Sequence, residues 1–454
     1  MAKNKKYEID MCNGPILKKM LLFAVPLMFS SILQLLFNAA DIVVVGKFAG
    51  DDSLAAVGAT SSLINLLTNL FIGLSIGANV LVARFFGAKK DDELSDTVHT
   101  AMTVSFISGV ILTVIGMVGA PVILTWMKTP PEVLPLSTIY LRVYFAGMTA
   151  TMAYNFGASI LRAVGDTKRP LYYLTAAGIL NVTLNLIFVI VFQWGVFGVG
   201  LATVISQVLS AVLVLRCLMR EQGGIRLDLK RLHINKGKLL QIMQIGLPAG
   251  FQGMLFSLSN VVIQSSVNSF GATVVAGNSA ASNIEGFVYV GMNAFYQAAI
   301  SFMGQNVGAG KYERVNKILY CALGCVLSIG LLLGNAVVLL GRPLVSLYTD
   351  SAVVVEAGMV RLRIIGTLYA LCGLMDVMVG ALRGIGYSVA PMIVSLLGAC
   401  AFRLVWIATI FQIDRFHTIE TVYFSYPVSW ILTFAAHVVT FVILRKRLKK
   451  RWGM

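Results

Sequence analysis

The stretch LRVYFAGMTATMAYNFGASILRAVGDTKRP, residues 141–170, returns as LRIIGTLYALCGLMDVMVGALRGIGYSVAP at residues 362–391. The opening Leu-Arg pairs, the later pairs Leu161-Arg162 and Leu382-Arg383, Gly165 and Gly386, and Pro170 and Pro391 all share one offset of 221. Working outward, Gly87-Ala88 meets Gly308-Ala309 at that offset, while Pro26 meets Pro248 and Asn38 meets Asn260 one residue away from it. The chain is therefore a duplication. Each copy holds six apolar stretches, and an even number preserves the direction of crossing. The halves are parallel repeats about an axis along the membrane normal, an arrangement that suits a carrier rocking one bundle against another.

Composition sets the medium. Hydrophobic residues make up 57% of the 454 residues and charged residues only 12%, against about a quarter charged in a soluble domain. The expected fold is an all-α polytopic membrane protein, with twelve transmembrane helices in two pseudo-symmetric six-helix bundles around a central cleft. The helices are expected near 18–45, 53–83, 95–118, 134–157, 171–193, 197–219, 239–267, 275–305, 313–340, 357–381, 389–412 and 421–445. The domain reading follows: a cytoplasmic N-terminus over 1–17, an N-lobe over 18–219, a basic cytoplasmic linker over 220–238, a C-lobe over 239–445, and a basic tail over 446–454. No cleavable leader is read at the start.

The formal charge is +16, and positive-inside topology accounts for it. With the N-terminus inside, 28 of the 36 Lys and Arg fall on the cytoplasmic side or at span ends facing it. The expected location is the cell membrane with both termini cytoplasmic. No stripe of basic and aromatic residues points to nucleic acid. The six cysteines form no CxxC pair and read as small packing residues. No Walker motif, HExxH or GxSxG occurs, and the four histidines lack ligand spacing. The chain is expected to be no enzyme, to carry no metal or other cofactor, and to act as a monomer. Without a nucleotide site, transport must draw on an ion gradient.

Ionisable groups inside a bilayer are costly, at least about 2.5–3.5 kcal/mol on insertion scales, so they are the default functional candidates. Three acids lie within the apolar stretches: Asp41, Glu285 and Asp376. Gln34, Asn38 and Asp41 share one face of the first helix by i, i+4, i+7 spacing. Pro26 lies about four turns below and should kink that helix; Pro248 is its twin. The acid could instead cap its helix or pair with Lys47. Asn181 and Asn185 are spaced i, i+4 in the fifth helix, with Thr203 in the sixth to face them. Asn278, Glu285, Tyr289 and Asn293 share a face of the eighth helix, and Asn65 is near the equivalent place in the first half. A carboxylate beside an aromatic ring can hold an organic cation, or Glu285 could be buried against an arginine, Arg363 or Arg403. Asp376 stands where the first half has Asn155, with Arg383 two turns on as a possible ion-pair partner. Gln252, Asn260 and Gln264 line the seventh helix.

The repeat units resemble the multidrug and toxic compound extrusion (MATE) family, in its bacterial DinF/MepA-like branch. The segments that carry the likeness are FAVPLMFSSILQLLFNAADIVVVGKFAG in the first helix, ILRAVGDTKRP, QNVGAGKYERV and ALRGIGYSVAP, and the likeness runs from about Lys18 to Arg445. It implies secondary active efflux of drugs and toxic compounds by alternating access, driven by inward H⁺ or Na⁺. It assigns cation or proton coupling to Asp41, Asn181, Asn185, Thr203, Glu285 and Asp376. Gln34, Asn38, Asn65, Asn155, Gln252, Asn260, Gln264, Tyr289 and Asn293 become the expected substrate-binding set, and Pro26 and Pro248 the hinges. Two departures bear on the ion. Relatives often have an acid where this chain has Asn185, and Phe256 lies near the position of a helix-7 acid. One carboxylate among amides makes a weak Na⁺ site, which tilts the coupling ion towards H⁺. Interior acids and amides favour small cationic, amphipathic cargo, and the lipid bilayer is the protein's expected surroundings. The alternative is a flippase for lipids or lipid-linked oligosaccharides in the same superfamily, and a non-transporting scaffold or receptor is the reading from another class.

Overall fold

The computed structural model describes residues 7–451, so the first part of the expected N-terminus and the end of the tail lie outside the described residues. Sixteen α-helices follow one another, and among the described residues there is no strand. They are α1 (Ile16–Phe48), α2 (Asp51–Gly87), α3 (Asp91–Trp126), α4 (Leu134–Ala146), α5 (Met148–Ala163), α6 (Lys168–Leu186), α7 (Gly195–Arg220), α8 (Lys236–Asn268), α9 (Ala272–Gly308), α10 (Arg314–Leu339), α11 (Gly341–Ser346), α12 (Ala352–Arg361), α13 (Ala370–Gly384), α14 (Val389–Ser395), α15 (Phe402–Ala408) and α16 (Ile419–Arg451). π-helical turns at Ile187–Val191, Leu362–Gly366 and Leu396–Ala401 extend α6, α12 and α14. The twelve expected stretches are all helical.

Among the described residues, nine helices are long and apolar enough on their own to cross a bilayer, and α12 with α13 makes a tenth, bent by 47°. The other two expected spans fall short for readable reasons. Residues 134–163 divide at Gly147 into helices of 13 and 16 residues, each too short alone. Helix α9 is diluted by Asn278, Asn283, Glu285, Asn293 and Gln297.

The duplication is written into the backbone. Helices α2 and α9 are both 37 residues long and start 221 apart. The left-handed positions Gly50 and Gly271 (φ 88° and 91°), Lys89 and Gly310 (56° and 69°), and Gly165 and Gly386 (94° and 102°) repeat at the same offset. Glycine serves such positions because it has no Cβ to clash.

The chain divides into two compact units. Of the described residues, unit 1 comprises 7–12, 25–250 and 308–310, and unit 2 comprises 13–24, 251–307 and 311–451. The border thus lies within α8 and not in the basic segment 220–238 expected from sequence. That segment is fastened to α3: the Asp228 amide donates to His99 Nε2 (3.1 Å), Asn235 donates its backbone N–H to Thr100 Oγ1 (3.0 Å), and Lys238 pairs with Glu93. In α1 and α8 the change of unit falls within three residues of a proline, Pro26 and Pro248 respectively.

Packing inside unit 1 depends on close backbone approach. A Cβ on Gly73 would lie 2.3 Å from the Gly250 nitrogen, and one on Gly77 would lie 2.3 Å from the Ile242 carbonyl oxygen. Lipid tails are as apolar as leucine, so helices in a bilayer associate through such small-residue contacts and not by exclusion of water.

Candidate functional site

In unit 1, Asp41, Asn181, Asn185 and Thr203 come together as one hydrogen-bonded chain. The Asn185 amide donates both to the Asp41 carboxylate and to Asn181 Oδ1 (3.4 Å). Asn181 in turn donates to Thr203 Oγ1 at 3.4 Å, and Thr203 donates to the Val199 carbonyl at 3.0 Å. Asn185 is fully buried and its Oδ1 has no donor. Asp41 is therefore not spent on Lys47.

Local packing explains why α1 reaches α6. A Cβ on Gly178 would lie 1.8 Å from the Phe37 ring. Phe37 is one turn before Asp41, and Gly178 is one turn before Asn181, so the missing side chain lets the acid meet the amides. Tyr140 and Tyr144, not anticipated, complete the surroundings; both lie within electrostatic reach of Asp41. Their i, i+4 spacing on α4 was the available signal. The other two members of the α1 face behave differently. Gln34 and Asn38 are exposed and make no side-chain hydrogen bond among the described residues. Asn65 is exposed, and Asn155 turns its amide to the Thr151 carbonyl of its own helix (2.9 Å).

In unit 2, Glu285 is not a free carboxylate awaiting an organic cation. Arg361 grips it, with Nε 3.1 Å from Oε1 and NH2 2.8 Å from Oε2, while NH1 donates to Asn278 Oδ1 at 2.8 Å. Both charged residues are buried. The expected partners were Arg363 or Arg403; Arg363 is exposed, and Arg403 bonds elsewhere. Arg361 also lies 5.5 Å from the ring centres of both Tyr423 and Tyr426. Asn278 donates to Gln264 Oε1 at 3.0 Å, which brings a predicted α8 residue into the network.

Tyr289, Arg383 and Arg403 all lie near enough to Asp376 to act on it electrostatically. Among the described residues the alternative Asp376–Arg383 ion pair does not form. Arg383 instead donates to Tyr296 Oη (2.5 Å) and Gln252 Oε1 (2.8 Å). Asn260 is exposed, Asn293 is half-buried, and among the described residues neither makes a side-chain hydrogen bond. Sequence reasoning also missed the Arg403 group: Nε donates to Ser429 Oγ at 2.8 Å, and the guanidinium lies 4.3 Å from the Tyr426 ring centre.

The GDTKRP segment has a structural part. Asp166 Oδ1 accepts the backbone amides of Lys168 and Arg169 at 3.2 and 3.1 Å, capping α6, and Arg169 bridges Asp166 and Glu221.

A model of the MatE family matches residues 26–187 and 248–408, one match in each half. "Probable multidrug resistance protein YoeA" of Bacillus subtilis is 26% identical over 425 residues, covering 92% of this chain and 91% of that protein. "Multidrug export protein MepA" of Staphylococcus aureus is 22% identical over 437 residues, covering 96% and 95%. Among solved structures, an outward-facing multidrug resistance MATE transporter of the MOP superfamily superposes with a TM-score of 0.92 at 23% identity, over 99% of this chain and all of the other.

Proposed function

The chain belongs to the MatE family of multi-pass membrane transporters, and from that premise we propose that it exports small amphipathic organic compounds by secondary active antiport against inward H⁺. The observation that carries the coupling is the buried chain Asp41–Asn185–Asn181–Thr203. A carboxylate can take the Asn185 amide hydrogen. A carboxylic acid can donate its own hydrogen to the same side chain's oxygen after a half-turn of the amide, an oxygen that has no other donor. Both protonation states of Asp41 thus find a partner in one residue, as a proton carrier requires. The oxygen set holds one carboxylate, a poor match for a hard cation, which wants several charged oxygen ligands.

Alternating access is the proposed cycle, with Pro26 and Pro248 as hinges near the points where α1 and α8 pass from one unit to the other. Each proline removes an i→i−4 bond, so the helix bends there at little further cost. The relatives' names support organic cargo, and the Asp41 carboxylate supports organic cations among it. The proposed site of action is the cell membrane, with both chain ends cytoplasmic.

The test uses the full chain in liposomes, with ethidium as cargo and imposed ΔpH or ΔNa⁺. The expected result is export driven by the H⁺ gradient alone and lost in Asp41→Asn. Export driven only by Na⁺ overturns the coupling ion. Failure of both gradients to move any of a panel of organic cations and anions overturns the exporter reading.

A further inference from the structure

Unit 2 buries more positive charge than its acids answer. Arg361, Arg383 and Arg403 are all buried within its helices. The Glu285 carboxylate is taken by Arg361. Among the described residues the half-buried Asp376 is near enough to both remaining arginines for them to act on it electrostatically. Among the described residues neither Arg383 nor Arg403 is ion-paired with a carboxylate.

Arg403 makes the fewer hydrogen bonds of the two. It is 4% exposed, and among the described residues its one hydrogen bond runs from Nε to Ser429 Oγ, against two for Arg383. Among the described residues no carboxylate lies within ion-pair distance of it. Its flat face is covered instead, by Tyr426 at 4.3 Å and Trp430 at 5.8 Å. A guanidinium stacked in this way keeps its NH2 edge for a planar or tetrahedral oxyanion, which it can grip with two parallel hydrogen bonds. A second buried donor lies one turn before Tyr426 on α16: the Tyr423 hydroxyl, on a side chain 1% exposed, has no hydrogen-bond partner among the described residues. Tyr423 and Tyr426 flank Arg361 at the same 5.5 Å, so the orphan hydroxyl belongs to this aromatic group. Tyr369, stacked 5.5 Å from Trp430, extends the aromatic wall.

We propose that Arg403, walled by Tyr426 and Trp430, forms a subsite for the anionic group of aromatic organic cargo: a carboxylate, sulfonate or phosphate carried on a ring system. The proposal rests on the exporter reading and widens its cargo from organic cations to organic anions. The competing account makes Arg403 the counterion of Asp376 and nothing more, and the experiment separates the two.

The full chain is reconstituted in phosphatidylcholine alone, so that no anionic lipid competes, with carboxyfluorescein as the anion and ethidium as the cation. Binding is read by fluorescence anisotropy in detergent, and export by dye release. The wild type is expected to bind and export carboxyfluorescein. Arg403→Gln is expected to shift the anion-to-cation affinity ratio by about tenfold or more. Arg403→Lys, which keeps the charge but loses the fork, should fall between. Tyr426→Leu keeps the guanidinium, removes the stack and should weaken the anion severalfold, so the test survives an unstable Arg403 variant. No carboxyfluorescein binding by the wild type, or equal losses for both dyes in Arg403→Gln, overturns the subsite. Carboxyfluorescein displaced only by added phosphatidylglycerol, and never exported, marks a lipid headgroup site and overturns the cargo role. If neither dye is exported, the exporter reading falls, while the anisotropy still decides the subsite.

Discussion

Asn185 joins α6 to α1 by donating its amide to the Asp41 carboxylate, while its own buried carbonyl oxygen meets no donor. The pair sits 144 residues apart in sequence, so the contact belongs to the packed unit and not to either helix alone. An amide can serve a charged and a neutral carboxyl in turn; a hydrocarbon can serve neither. Asn185→Ala should therefore cut H⁺-driven ethidium export by about tenfold or more, since a buried hydrogen bond to a charged group contributes about 1.5–3 kcal/mol. Asn185→Asp should do something different. A second carboxylate adds hard oxygen ligands, and a Na⁺ gradient should begin to drive export. An unchanged ion preference in Asn185→Asp, measured by export under ΔNa⁺ alone, speaks against this site as the seat of coupling.

Gly178 holds that geometry by having no side chain. Its absent Cβ would lie 1.8 Å from Phe37, and backbone cannot yield that far in a packed core. Gly178→Val should push α1 off α6, separate Asp41 from Asn185, and abolish export while the protein still inserts. Phe37→Ala in the same chain makes room and should restore a measurable part of the activity. Export that survives Gly178→Val alone breaks the link between this packing contact and coupling.

The architecture could be read from the sequence because duplication leaves marks that need no three-dimensional knowledge. Gly165 and Gly386 align by counting, and their shared left-handed φ follows from that alignment. The Asp41 cluster was half legible. Helical spacing puts Gln34, Asn38 and Asp41 on one face, but spacing does not say how deep each lies, and only Asp41 finds a partner. Arg361 was not legible. Arg361 and Arg363 are two residues apart, so they point to nearly opposite sides of a regular helix. The π-helical turn at Leu362–Gly366 then shifts the phase that decides which side faces Glu285. Arg403 follows another such turn, at Leu396–Ala401. A 3.6-residue count carried through either turn goes wrong, and the interior arginines of unit 2 are where it did.

Asp166 ties the start of α6 to the end of α7 through Arg169 and Glu221. It also accepts two backbone amides at the head of α6. Loss of such a cap costs about 0.5–2 kcal/mol, and here it also frees Arg169. Asp166→Ala should lower the melting temperature, read in detergent by a thiol-reactive dye that reports exposure of buried Cys217, Cys325, Cys372 and Cys400. Glu221→Gln leaves the cap in place and should cost less. Equal losses in the two variants point to the ion triad, and not the cap, as what holds α6.

The Glu285–Arg361 pair gives the sharpest stability test. Removing one member of a buried pair leaves the other charged and unpaired, at about 3–5 kcal/mol. Replacing both by apolar residues of similar size is often neutral. Glu285→Leu and Arg361→Met should each destabilise the protein strongly in the thiol-dye melt, and the double variant, apolar at both positions, should recover most of the loss. Export separates the two roles proposed for Glu285. If the pair is structural, the double variant recovers ethidium export along with stability. If Glu285 carries a coupling proton, the double variant melts like the wild type and transports nothing, and the energy of the H⁺ gradient enters through unit 2 as well as through Asp41.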